Sequence, residues 1–152
     1  MDITAKLSSL GLKLPEAAAP VGAYVPAVVS GKYVYTAGQL PLADGTLRYS
    51  GKVGMDVTVE DGYAAARLCV LNALAAVKAA VGDLQRVRRV VKVTGFVNSA
   101  PGFTGQAVVL NGASELLAAL FAEGHARSAV GVAALPLNAA VEVELMCELD
   151  RE

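Results

Sequence analysis

Two charged residues near the C-terminus have the type and spacing to handle a small anion. Arg127 opens a run of small and β-branched residues over 127–132, and Glu142 lies in a second run over 141–148, with Leu135-Pro136-Leu137-Asn138 between them as turn chemistry. Strand alternation in the second run puts Val141, Val143, Leu145 and Cys147 on one face and Glu142, Glu144, Met146 and Glu148 on the other. An arginine at a strand mouth and a glutamate on the next strand flank a space suited to a small carboxylate and a water. The guanidinium fork matches a carboxylate's two oxygens, with charge-assisted hydrogen bonds of about 1.5 to 3 kcal/mol each at buried sites. The plainer reading makes Arg127 structural, paired with a strand glutamate. On pattern alone Glu142 does not stand apart from Glu144 and Glu148, which read as solvated or rim residues.

His125 is the only histidine, two residues before Arg127. A neighbouring guanidinium disfavours its protonation; it reads as a rim or core histidine, with an additional acid–base group as the alternative. No Cys, Asp or His stands at ligand spacing from it, so no metal site is expected. Cys69 and Cys147 lie far apart without CxxC spacing and read as buried free thiols. Gly-rich phosphate-loop patterns are absent, and Asn98-Ser99-Ala100 misses the glycosylation sequon.

The elements that carry these residues follow from periodicity and punctuation. Ile3, Leu7 and Leu10, with Gly11 behind them, predict a short amphipathic helix within residues 1–13, and 15–20 reads as a Pro/Ala linker. Val28-Val29 and Tyr33-Val34-Tyr35 around Ser30-Gly31 predict a tight hairpin whose second strand runs to about Gln39, followed by loop over 41–54. Thr58, three residues before Asp61, resembles a capping box opening a long Ala-rich helix that Gly82 ends. A third strand over 86–97, a loop over 98–105 and a second long helix over 108–121, closed by Gly124, lead to the last two strands, read as a hairpin. The order β-β-α-β-α-β-β predicts an α+β layer, a mixed sheet with two long helices on one face. One domain over 1–152 is expected, with 1–20 as its N-terminal helix and linker.

Composition narrows the classes. Hydrophobic residues make up 55% of the chain with no Trp, and the excess apolar surface points to a subunit interface. The stretch 64–81 is interrupted by Arg67, Asn72 and Lys78 and reads as a buried helix, not a membrane span. Without a basic segment followed by an apolar one at the N-terminus, the expected location is the cytoplasm. A net charge of -1 and a pI near 5.8 argue against a nucleic-acid partner. The cluster Arg86, Arg88, Arg89 and Lys92 reads as a solvated edge or oligomer rim.

The order Ala126-Arg127-Ser128-x-Val130, a turn with Leu135-Pro136, then Val141-Glu142-Val143-Glu144 resembles the C-terminal signature of the RidA/YjgF family of reactive enamine/imine deaminases, also labelled endoribonuclease L-PSP. Gly22-Ala23-Tyr24-Val25, Gly31 and Thr36-Ala37-Gly38-Gln39-Leu40-Pro41 match the family's N-terminal pattern in order. The resemblance implies the chorismate-mutase-like fold, a homotrimer whose sheets close a central barrel, and ligand pockets in clefts between adjacent subunits. It also implies hydrolysis, without metal or cofactor, of small 2-enamino or 2-imino acids such as 2-aminoacrylate to 2-keto acids and ammonia. Carried over residue by residue, Arg127 clamps the carboxylate, Glu142 positions the attacking water, Tyr24 matches a tyrosine that lines the pocket, and Asn111 matches an asparagine near the start of the second long helix. The plainer reading of Tyr24 is an amphipathic residue at an interface, and Gly38, which lets backbone approach a ligand closely, has an N–H that is a candidate donor.

The chain departs from the pattern where Ala37 stands for the usual serine, His125 for proline or alanine, and Gly131 for a common glutamate, and the loop over 98–106 is longer. Those departures support a second reading, a trimer that binds a small carboxylate or keto acid without turnover. A third, the ribonuclease of the family's label, is opposed by the acidic pI and the lack of a histidine pair.

Overall fold

Thr58 opens the longest helix, α2 (Val59–Val81), by accepting the Asp61 N–H on its side chain, while Glu60 and Asp61 set negative charge on the first turn. Gly82 closes it at a φ of +90°, its N–H donating to the Lys78 carbonyl. The computed structural model describes residues 2–19 and 22–150. Met1 and Pro20, which the expected N-terminal helix and linker include, lie outside the described residues. The N-terminal helix is α1 (Ile3–Ser9), capped by Asp2, and Ile3 and Leu7 are its buried residues.

The hairpin at Ser30-Gly31 forms as expected from β1 (Ala27–Ser30) and β2 (Tyr33–Thr36). The stretch 41–54 is not all loop: β3 (Leu42–Ala43) and β4 (Thr46–Leu47) form a small hairpin across Asp44-Gly45, both at positive φ. After α2 come β5 (Val87–Asn98), α3 (Gln106–Leu120), β6 (Ala126–Val132) and β7 (Val141–Leu149). The main sheet has the order β1-β2-β7-β5-β6.

The pairing and length of the strands also need correction. The last two strands do not pair: β6 lies parallel to β5, and β7 inserts antiparallel between β2 and β5. The β5–α3–β6 segment is a crossover unit, whose helix carries the chain back to seat β6 beyond β5. β2 ends at Thr36; Gln39 meets β7 only through an isolated bridge to Val143.

Helices α2 and α3 cover one sheet face. Val93, Val97, Val141, Val143 and Leu145 from the sheet and Leu74, Leu110 and Leu117 from the helices are nearly inaccessible to solvent. Close approach depends on two glycines. A Cβ on Gly95 would fall 2.1 Å from Leu110 Cδ1, and one on Gly112 would fall 2.0 Å from the Tyr63 carbonyl oxygen. By length and composition α2 could cross a membrane, yet 67% of its most apolar window is buried in this fold, under the sheet and α3. Among the described residues the opposite sheet face carries no helix, and Val28, Tyr35 and Val130 stand exposed on it.

Glu148 is not a rim residue. Its side chain, 6% exposed, is held by Lys32 at 2.9 Å and by Arg89 Nε at 2.8 Å, and its pKa lies below the ordinary carboxylate value because both donate to it. Arg89 also pairs with Glu123, which Arg88 reaches from the same edge.

Candidate functional site

Arg127 enters β6 opposite Val93 of β5, and Val93 in turn stands opposite Leu145 of β7. Cross-strand partners share a face, so Arg127 points to the helical side. There its Nη1 donates to Asn111 Oδ1 at 2.9 Å and to Ser114 Oγ at 3.2 Å. Asn111 and Ser114 are three residues apart on α3 and therefore present one helix face to the strand. Among the described residues Arg127 pairs with no carboxylate, and its Nε and Nη2 make no hydrogen bond. The structural alternative, an ion pair with a strand glutamate, is not what the side chain does.

His125 precedes Arg127 by two residues and leans to the same side, its Nε2 lying 2.9 Å from Ser114 Oγ. Its pKa is lowered, first by partial burial and then by the Arg127 charge. A cleft of about 400 Å³ adjoins this cluster, with Ala118, Phe121 and Ala122 among its apolar lining and Ser114, Glu115, Glu123 and His125 as its polar groups.

Glu142 occupies the other face. It stands opposite Phe96 of β5, which stands opposite Val130 of β6, on the side without helices. Its carboxyl lies against Gly38, where a Cβ would come within 2.7 Å of Cδ. Only glycine allows that contact. Half-buried, Glu142 has a raised pKa, because burial disfavours the charge and Glu144 adds like-charge repulsion. Among the described residues it has no cationic partner and accepts no hydrogen bond.

Tyr24 and Gly38 line a small pocket with Pro26, Gln39 and Leu40, of about 30 Å³. That volume suits a water, not a metabolite. The structure thus joins Arg127 to Asn111, and Gly38 to both Tyr24 and Glu142, while within one chain the two groups stand on opposite sides of β5. Ser114 escaped the sequence reading. The signal available was its i+3 spacing from Asn111, matched to the i+2 spacing of His125 and Arg127.

The departures have local explanations. The Ala37 N–H donates to the Pro26 carbonyl at 2.7 Å, so its backbone is anchored whatever the side chain. A Cβ on Gly131 would fall 2.7 Å from Gln106 Nε2; glycine there leaves room for Gln106 to donate to Ser99 Oγ and the Phe103 carbonyl. Cys69 and Cys147 are buried free thiols, and burial pushes the Cys147 pKa up to about 12. Among the described residues no cluster of three or more His, Cys, Asp or Glu side chains is placed to hold a metal ion.

The fold is an α+β layer with Arg127 on the helical face of the sheet and the half-buried Glu142 on the other. The family model described as "YjgF/chorismate_mutase-like, putative endoribonuclease" matches residues 4–149. The chain belongs to this RidA/YjgF family and has its fold. Protein TCP17 of Trypanosoma cruzi is 50% identical over 151 residues, covering 97% of this chain and 94% of the relative. The crystal structure of Atu1372 from Agrobacterium tumefaciens, of unknown function, is 48% identical with a TM-score of 0.91, covering 97% of this chain and 92% of that one. Escherichia coli TdcF with bound serine is more distant, at 28% identity and a TM-score of 0.62 over 90% of this chain and 94% of that one.

Proposed function

We propose that the protein hydrolyses small 2-imino and 2-enamino acids to 2-keto acids and ammonia, in clefts between copies of a homotrimer. The observation that carries this reading is the pair of half-buried charges of opposite sign, Arg127 and Glu142, which stand on opposite faces of one chain and have no oppositely charged partner among the described residues. A half-buried charge left unpaired is costly unless something supplies the partner. A second copy that brings its Glu142 face to the Arg127 side of the first would satisfy both with one ligand. The serine bound to TdcF is a small molecule that carries an α-carboxylate, as 2-imino and 2-enamino acids do.

In that cleft Arg127, steadied by Asn111, takes the carboxylate of the substrate through its free nitrogens. An enamine acid first takes a proton from solvent at its β-carbon and becomes the iminium ion. Water then adds to the protonated C=N carbon, with Glu142 orienting it and accepting its proton to leave a carbinolamine. The same carboxyl returns that proton to nitrogen, and as the C–N bond breaks the carboxylate takes up the hydroxyl proton, so that ammonia leaves and the keto acid forms. A raised pKa suits a group that must both take and give a proton. The Gly38 N–H and the Tyr24 hydroxyl shape the glutamate side of the cleft.

The test is keto-acid release from 2-imino acids generated in situ by an amino-acid oxidase. Wild type should exceed the spontaneous rate, and Arg127→Ala should lower kcat/KM by roughly a hundredfold or more, the loss of two charge-assisted hydrogen bonds. Equal rates for the two proteins would remove the reading. The alternative, carboxylate binding without turnover, is favoured by Ala37, which leaves the glutamate side without the serine hydroxyl of the family pattern. Arg127-dependent binding of pyruvate with no rate above background would select it.

A further inference from the structure

The contacts around Ser114 involve more than holding Arg127 in place. The Ser114 oxygen accepts Arg127 Nη1–H at 3.2 Å and lies 2.9 Å from His125 Nε2. A hydroxyl has one proton, and with an arginine donating to its oxygen that proton is free to point at the imidazole. Such a bond requires a bare Nε2, hence a neutral ring protonated on Nδ1. The lowered pKa of His125 agrees with that state. When the ring takes up a proton, Nε2–H becomes a donor to Ser114, and the serine hydroxyl must turn its hydrogen elsewhere. The adjoining cleft is open to it.

We propose that Ser114 and His125 are positioning residues that make carboxylate binding at Arg127 proton-linked, with affinity rising as pH falls. This rests on Arg127 as the carboxylate site but not on turnover. At high pH the neutral imidazole keeps the serine proton to itself, and the guanidinium alone meets the anion. At low pH two cations and a released hydroxyl converge on it. By linkage, a bound anion raises the histidine pKa, and affinity gains up to tenfold per pH unit between the free and bound values. Other charges face the ring. Arg127 opposes its protonation, and Glu115 and Glu123 line the same cleft as the ring. Both acids are already engaged, Glu115 by the Tyr63 hydroxyl and Glu123 by Arg88 and Arg89, so neither replaces an incoming carboxylate.

The experiment titrates pyruvate, a carboxylate that needs no hydrolysis, into the full-length protein by calorimetry from about pH 8 to about pH 5, the range in which an ordinary histidine titrates. Wild type should bind several-fold tighter per unit fall in pH and take up as much as one proton per chain. His125→Gln, which keeps a hydrogen-bonding amide but cannot titrate, should bind with flat affinity. Ser114→Ala should weaken binding across the range, and Ser114→Thr should restore it. Because the chain has one histidine, its ring resonances report the pKa directly by NMR. Pyruvate should move that pKa upward in wild type, a readout that needs no variant to fold. A pH-independent affinity in wild type, the same slope in His125→Gln, or an unmoved ring pKa would overturn the proposal. Binding that survives in Arg127→Ala, or no binding by wild type at any pH, would overturn the carboxylate site itself.

Discussion

Glu142 and Glu148 lie six positions apart on one strand, and the same alternation aims both at the sheet face without helices, yet their environments push them in opposite directions. Glu148 is held by Lys32 and Arg89, and its pKa is lowered; Glu142 has no cation near it and its pKa is raised. The signs of their contributions to stability differ accordingly. A lowered folded pKa means stability present above the unfolded value and lost as pH falls through the folded one. Glu148→Gln should therefore lower the urea midpoint at neutral pH, with the deficit shrinking in acid. A raised folded pKa works the other way, because the charged form is penalised in the native state and stability falls as pH rises from the ordinary value through the folded one. Glu142→Gln should raise the urea midpoint at neutral pH, match wild type in acid, and abolish turnover throughout. That combination, a more stable and inactive variant, marks a residue kept for chemistry rather than for the fold. A Glu142→Gln protein no more stable than wild type at neutral pH would mean that its carboxylate costs the fold nothing.

At the scale of elements, the tightest contacts belong to glycines. Gly112→Ala would drive a methyl into the Tyr63 carbonyl, a rigid backbone group, so α2 and α3 must separate; a loss on the order of 3 kcal/mol in chemical denaturation is expected. Gly38→Ala meets only the movable end of Glu142 and should leave stability nearly unchanged while displacing the carboxyl and lowering kcat. These elements were partly legible in the residues. The Thr58 cap, the Gly82 stop and the Ser30-Gly31 hairpin are local signals, and local chemistry decided them. The Asp44-Gly45 turn carried the same kind of signal, but its strands are two residues each and show no alternation to read. Strand order is different. Val-rich runs on β5, β6 and β7 look alike, and which two become neighbours depends on how α3 crosses over and docks. That one topological fact decides that Arg127 and Glu142 occupy opposite faces and that Ser114 meets His125; spacing along the chain tells which residues share a face of their own element, not which faces meet.

The whole molecule inherits the consequence. If each working cleft draws Arg127 from one copy and Glu142 from the next, activity depends on assembly, and the uncovered sheet face with Val28, Tyr35 and Val130 is the apolar surface available to drive it. Inactive variants that each damage one side of the cleft should then complement one another. Arg127→Ala and Glu142→Gln chains, unfolded together in equal amounts and refolded, assemble at random in a closed ring. A cleft is intact only when its arginine comes from a Glu142→Gln chain and its glutamate from an Arg127→Ala chain, each a one-in-two chance. About a quarter of wild-type activity should return, where either variant alone has almost none. The measurement is keto-acid release from the refolded mixture, with light scattering to establish that oligomers have re-formed. If the mixture stays as inactive as its parts although the oligomers re-form, both groups must act within one chain. The sheet between Arg127 and Glu142 would then have to be bypassed by a rearrangement that this fold gives no reason to expect.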